Sequence, residues 1–243
     1  MKKSIFEIIE NRSIAKDVCL MRLTGDTSAI TAPGQFVNIE LEGFYLRRPI
    51  SVCDWEYGVL TIIYKVVGKG TEKMSAMTAG EKLELLTGLG NGYDMTLSGE
   101  RPLLVGGGAG VPPMYGLCRR LTAQGKRPTV ILGFNTAADV FFAEEFKALG
   151  ANVIVTTVDG GVGVKGFVTD AMKELEYSYF YSCGPEPMLK ALYNASATEG
   201  QLSFEERMGC GFGACMGCTC KTKYGNKRIC KDGPVLKKEE VVW

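Results

Sequence analysis

Between positions 210 and 230 the chain carries five of its nine cysteines, Cys210, Cys215, Cys218, Cys220 and Cys230, with Gly209, Gly211, Gly213 and Gly217 interleaved. A stretch so poor in apolar periodicity cannot build a hydrophobic core and must be organised around a bound centre. Cys210-x4-Cys215-x2-Cys218 has the ligand spacing of a plant-type [2Fe-2S] loop, in which glycines let backbone amides point at the sulfurs. Cys230 supplies a fourth thiolate after eleven intervening residues, nearer than ferredoxins of that type usually place it. The alternative is a structural zinc site of four cysteines, which commonly uses two CxxC knuckles; no second CxxC is present. Cys220 follows Cys218 too closely for both to reach different corners of one cluster and is read as a non-ligand. Cys19, Cys53 and Cys118 lie in apolar patterns and read as packed thiols.

Other chemistry is excluded by composition. Among 243 residues there is no histidine, which removes Ser-His-Asp and Cys-His catalysis, mixed cysteine-histidine zinc sites, histidine-ligated haem and imidazole acid-base chemistry. With 28 basic and 27 acidic side chains, the balance gives no electrostatic reason to expect nucleic acid or an anionic membrane as partner. Glu7 and Glu10 interrupt what a signal peptide would keep apolar, and no segment has the uncharged length of a membrane span. A cytoplasmic location is expected, where an odd number of cysteines points to metal or redox work rather than disulfides.

Three patterns follow one another. Residues 1–98 alternate short β-like runs, at 36–41, 59–67 and 82–86, with turn residues, which predicts an antiparallel barrel. Residues 99–202 alternate apolar runs at 102–105, 129–132, 152–155 and 179–181 with helical stretches at 114–124, 144–149, 167–175 and 187–195, the pattern of a parallel α/β sheet. Residues 203–243 form the cysteine-rich segment. The fold class expected is therefore α+β multidomain.

In the central region a buried strand runs through Gly106, Gly107, Gly108 and Gly110 into a helix opened by Pro112 and Pro113. Glycines there permit close approach of a pyrophosphate, and a helix N-terminus offers N–H donors, although the spacing departs from GxGxxG. Cys183, Gly184 and Pro185 also follow a buried strand and open a helix, placing a thiol at the carboxyl edge of the sheet; Asp159 follows another strand on that edge. In the first region Arg48, Pro49, Ile50 and Ser51, with Gly70 and Thr71, could bind a phosphate chain through a guanidinium and backbone amides. A solvated arginine and an ordinary turn would explain the same residues.

Taken in order, these pieces resemble the ferredoxin-NADP reductase superfamily over essentially the whole chain. The segment 206–218 further resembles the electron-transfer subunits of class 1B dihydroorotate dehydrogenases. The resemblance implies FAD in the barrel, bound by Arg48 at the pyrophosphate, by Pro49, Ile50 and Ser51 along the ring and ribityl chain, by Ile63, Tyr64 and Lys65 flanking the flavin, and by Gly70 and Thr71. It implies NAD at Gly106 to Gly110, Asp159, Gly184 and Pro185, with Cys183 near the nicotinamide as the catalytic position, and a [2Fe-2S] cluster on Cys210, Cys215, Cys218 and Cys230. It also implies an FMN-containing catalytic partner that oxidises dihydroorotate and feeds electrons through cluster and FAD to NAD+, in a heterotetramer of two copies each. A sulfide- or ferredoxin-linked complex with the same cofactors is the competing expectation. The missing arginine at 133–135 favours NAD over NADP.

Overall fold

The computed structural model describes residues 1–243. Strands β1 (Lys2–Ala15), β2 (Val18–Thr24), β3 (Phe36–Ile39), β4 (Arg48–Glu56), β5 (Val59–Lys65) and β6 (Lys82–Leu89) close an antiparallel barrel, with helix α1 (Lys69–Ser75) between the last two. Alternation sets the register. Leu83 and Leu85 of β6 point inward, as do Met21 and Leu23 of β2, and they meet Phe6, Ile8, Val37, Ile39, Leu60 and Ile62 in a continuous core. Each such side chain contributes roughly 1.5–3 kcal/mol on burial.

Strand β3 breaks the alternation, because all four of its residues are buried. Val37 and Ile39 face the barrel interior, whereas Phe36 and Asn38 face outward beneath the rest of the molecule.

The chain then builds β7 (Leu103–Gly107), α2 (Val111–Ala123), β8 (Thr129–Phe134), α3 (Ala143–Ala148), β9 (Asn152–Thr157), β10 (Val164–Lys165), α4 (Val168–Ala171), β11 (Phe180–Cys183), α5 (Glu186–Ala195) and β12 (Gly200–Ser203). The cysteine-rich segment adds the hairpin β13 (Thr219–Thr222) and β14 (Gly225–Arg228), the short α6 (Ile229–Asp232), and β15 (Val235–Lys237). The main sheet has the order β10-β9-β8-β7-β11-β12-β15 and is parallel except for β15, which returns from beyond the cysteines to pair antiparallel with β12. The order reverses between β7 and β11, where an open α/β sheet has its ligand crevice.

The expected barrel and parallel sheet are both present. The helix expected over 167–175 is a single turn, Val168–Ala171, with Val168 and Met172 buried in the core and Ala171 and Leu175 packed against it. No helix is long and apolar enough to cross a membrane.

Helix α2 joins the two large units. Its Gly116 lies so close to β4 that a Cβ would stand 2.5 Å from the carbonyl of Cys53. Beside it, Asp54 accepts hydrogen bonds from Arg119 at 2.6 Å and Arg120 at 3.0 Å, and the Arg120 guanidinium lies 3.5 Å from the Trp55 ring centroid.

Candidate functional site

On the barrel, Arg48, Pro49, Ile50 and Ser51 open β4 and are all half-buried. Arg47 and Arg48 have different fates. Arg47 is neutralised by the carboxylates of Glu40 and Glu84, whereas Arg48 has no carboxylate partner: it donates to the carbonyl of Leu46 at 2.6 Å and lies 4.9 Å from the Phe44 ring centroid. Its Nε occupies the space beside Gly70, where a Cβ would be 2.2 Å away. Gly70 thus lets an unpaired guanidinium settle against the first turn of α1, whose amides carry partial positive charge. Thr71 braces that turn, accepting from the amides of Val67 at 3.0 Å and Gly68 at 3.3 Å. Tyr45, Leu46 and Val67 stand exposed around it, an apolar lip of the kind a flat ring system covers. A cationic cradle beside an apolar lip fits a flavin nucleotide. Ile63 and Tyr64 are buried, the Tyr64 hydroxyl donating to Asn11 at 3.0 Å, so only Lys65 of the three presents an exposed side chain.

At the switch point, Gly106 of β7 lies in register with Cys183 of β11. The following turn packs against it: a Cβ on Gly110 would be 2.1 Å from the Cys183 carbonyl oxygen. Pro112 and Pro113 start α2, as expected, but they remove two N–H groups from its first turn, so donors for a pyrophosphate must come from the amides of the glycine turn itself. Burial pushes the partly exposed Cys183 thiol up to about 12, against a lowering hydrogen bond with Ser203, and leaves it protonated. Asp159 is exposed on the same edge and accepts from the Gly161 amide at 2.9 Å. Gly184 and Pro185 lie between Cys183 and α5, whose Met188 side chain reaches back over Gly107 and Gly184.

The four cysteines form two pairs. Cys210 and Cys215 are neighbours: the Cys215 and Ala214 amides donate to Cys210 Sγ at 3.4 and 3.2 Å, and the Cys210 and Gly217 amides donate to Cys215 Sγ, each at 3.4 Å. Cys218 and Cys230 are the second pair, with the Cys230 amide donating to Cys218 Sγ at 3.4 Å. Burial acts to raise the Cys210 pKa, but donation from the amides of Cys215, Phe212 and Ala214 prevails and lowers it to about 6, the behaviour of a loop shaped for thiolate. No three His, Cys, Asp or Glu side chains converge on a point that would hold a single metal ion. Two pairs of thiols suit a centre of two irons, each taking two cysteines, better than one tetrahedral zinc. Arg228 braces the loop, donating to the Gly213 carbonyl at 2.9 Å while paired with Asp232 at 3.0 Å. Cys220 sits on β13 opposite Lys227, outside both pairs. Cys19, Cys53 and Cys118 are buried.

Three positions of this site carried no motif. Asn38 on β3 donates to the Cys210 carbonyl at 3.2 Å, the Tyr93 hydroxyl donates to the Ser182 carbonyl at 2.9 Å beneath Cys183, and Asp54 ties β4 to α2. Each acts through a partner remote in sequence, and no spacing rule reaches across such a separation.

Residues 205–242 match the family described as the iron-sulfur cluster binding domain of dihydroorotate dehydrogenase B, and residues 104–194 match the oxidoreductase NAD-binding domain. The "Dihydroorotate dehydrogenase B (NAD(+)), electron transfer subunit" of Fusobacterium nucleatum is 44% identical over 257 aligned residues, covering 99% of each chain. That of Bacillus pumilus is 45% identical, covering 99% of this chain and 98% of the relative. The chain belongs to this family of electron transfer subunits. Among solved structures, an NADH-dependent reduced ferredoxin-NADP oxidoreductase described in a study of flavin-based electron bifurcation superimposes with a TM-score of 0.89 at 32% identity, covering 98% of this chain and 90% of that one. An Amycolatopsis cytochrome P450 reductase shares the fold, with a TM-score of 0.72 at 23% identity over 80% of this chain and 65% of that one. The family is that of an oxidoreductase subunit whose cofactors are FAD, a [2Fe-2S] cluster and NAD.

Proposed function

We propose that this chain takes electrons from an FMN-containing subunit that oxidises dihydroorotate to orotate, and delivers them to NAD+ in the cytoplasmic synthesis of pyrimidines, in a heterotetramer of two copies of each subunit. When bound, the cluster moves single electrons and the flavin converts them into the two-electron chemistry that nicotinamide accepts. The observation that carries this reading is the stacking of sites: the Cys218 and Cys230 pair shares an apolar cluster with Phe36, which is in register with Ser51 of the Arg48 to Ser51 segment.

The chain's own residues bind and orient. Arg48 neutralises the flavin pyrophosphate beside Gly70 and Thr71, while Pro49, Ile50 and Ser51 line its ring and ribityl chain; of residues 63–65, Ile63 and Tyr64 are packed in the core and only Lys65 is left to flank it. Gly106, Gly107, Gly108 and Gly110 admit the dinucleotide to the sheet edge near Asp159, Gly184 and Pro185. Cys183, kept as a neutral thiol, helps to seat the nicotinamide rather than attack it. Cys210, Cys215, Cys218 and Cys230 hold the cluster. We assign residues 1–98 to the FAD unit, 99–202 to the NAD unit and 203–243 to the cluster unit, which lends β15 to the neighbouring sheet. Phe212 and Met216, both exposed on the cysteine loop, make an apolar docking face for the catalytic subunit.

The test is reconstitution. Dihydroorotate-dependent NADH formation is expected only when the FMN subunit is added, and activity of this chain alone on dihydroorotate would contradict the relay. The likeness to the bifurcating oxidoreductase supports a second reading, a ferredoxin-linked partner. Formation of a complex with the dihydroorotate-oxidising subunit, measured by size-exclusion chromatography of the mixed chains, separates the two.

A further inference from the structure

Strand β4 gives the flavin segment a direction. Ser51 is in register with Phe36, which shares an apolar cluster with Cys218 and Cys230, and the carbonyl of Cys53 just beyond it lies against Gly116 of α2 in the nucleotide-binding unit. Arg48 opens the strand at the other end, opposite Ile39. A flavin ring that exchanges electrons with both the cluster and the nicotinamide belongs at the Ser51 end. Arg48 then meets the pyrophosphate about 10 Å back along the strand, a distance that a ribityl chain spans. Whatever the flavin carries beyond its pyrophosphate is led past Arg48 onto residues 44–46.

Those residues form a short loop pinned on both flanks and from beneath. Lys73 of α1 donates to the carbonyl of Glu42 at 2.9 Å, Arg48 donates to the carbonyl of Leu46 at 2.6 Å, and Phe44 packs against the barrel core under the Arg48 guanidinium. On this braced backbone the Tyr45 side chain is 101% exposed, and Leu46 beside it is 44% exposed. An aromatic ring left in water gains free energy from any flat apolar partner, and a loop already held by packing loses little freedom in binding one. An adenine base is such a partner, and its phosphates would lie next door at Arg48.

We propose that Tyr45 is a specificity-determining residue of the flavin site, its ring stacking on the adenine of FAD and so separating FAD from FMN. This deepens the reading above and rests on its placement of the pyrophosphate at Arg48. FMN has the same ring, ribityl chain and first phosphate, and can make the contacts of Pro49, Ile50, Ser51 and Arg48, but it has no base to lay on Tyr45. With an FMN-containing subunit as partner, the stacking keeps each flavin in its own chain.

The test uses the whole chain with its iron, stripped of flavin and titrated anaerobically with FAD and with FMN while flavin fluorescence is followed, as wild type, Tyr45→Ala, Tyr45→Phe and Tyr57→Ala. Tyr57, on the turn at the far end of β4, is 96% exposed and controls for the loss of any solvated tyrosine. Wild type should prefer FAD. Tyr45→Ala should weaken FAD binding about tenfold, equivalent to about 1.4 kcal/mol and at the lower end of what stacking a base on an aromatic side chain supplies, and should leave FMN binding unchanged. Tyr45→Phe keeps the aromatic face and should bind both flavins as wild type does, as should Tyr57→Ala. An unchanged ratio of FAD to FMN affinity in Tyr45→Ala would overturn the proposal, as would an equal loss of both flavins, or a loss of FAD as large in Tyr45→Phe or Tyr57→Ala. Should Tyr45→Ala fail to fold, Tyr45→Gln, which keeps a long exposed side chain without the ring, is read in its place with the same outcomes. A wild-type chain that binds neither flavin sinks the functional reading itself, whereas one that binds both with a ratio indifferent to Tyr45 sinks only the adenine platform.

Discussion

Gly110 and Cys183 meet backbone to backbone, with room for no more than a hydrogen between them: a Cβ on Gly110 would stand 2.1 Å from the Cys183 carbonyl oxygen. This close approach joins the glycine turn to the strand end at the switch point of the sheet. Gly110→Ala must push the turn off β11. NADH-dependent ferricyanide reduction is expected to fall by about 100-fold, the cost of roughly an ångström of misplacement at a reacting centre, while FAD and iron content stay at wild-type levels. Full activity in Gly110→Ala would place nicotinamide binding elsewhere.

Cys183 should be chemically quiet. Burial raises its pKa to about 12, with Ser203 opposing and Glu205 adding to the rise. A group whose pKa is raised stays in its protonated form at all lower pH values, so no thiolate forms in the working range. NADH-dependent activity should show no inflection from this thiol between about pH 6 and about pH 9, and iodoacetamide should leave Cys183 unlabelled at about pH 8 in peptide mass maps. Rapid labelling of Cys183 that abolishes activity would make it a nucleophile.

The two prosthetic groups should be separable by mutation. Arg48→Ala removes the guanidinium that lies against Gly70 and should weaken FAD binding by roughly 10- to 100-fold, as loss of a charge-assisted hydrogen bond does, with iron retained. Cys218→Ser should lose iron and keep FAD. Parallel flavin fluorescence and iron assays read both, and retention of both groups in both variants would refute the assignment.

The grip of Asp54 on α2 is structural. Its side chain is 12% exposed, that of Arg120 is 22% exposed, and Arg120 also stacks on Trp55. Arg120→Ala leaves Arg119 on the carboxylate but removes the stacking. A loss of about 2 kcal/mol is expected. For a chain of this length that is a fall of roughly 4–8 °C in the thermal midpoint, measured on the FAD-loaded protein by differential scanning calorimetry.

Much of this architecture was written locally in the chain. The cysteine spacing, the glycine turn and the contrast between short alternating runs and buried strands each arise from neighbours along the sequence, and the barrel and parallel sheet follow from them. What was illegible depends on pairing at a distance. The helix α1 looks like a Gly-Thr turn because seven residues carry little periodicity, and it is fixed by packing of Met74 into the barrel. Strand β15 hides behind the cysteines because three residues cannot announce a partner strand about 35 positions earlier. Asn38 looks like a polar interruption in a strand, and acquires meaning only when Cys210 is brought to it from 172 positions away.

The most direct test of the relay is to add NADH to the purified chain under anaerobic conditions while recording visible absorption and EPR. Given one FAD and two irons per chain, as the four-thiolate cluster type requires, the flavin band should bleach and the signal of a reduced [2Fe-2S] cluster should appear in the same sample. A colourless zinc protein, or a flavin that bleaches while no cluster signal ever develops, would contradict it.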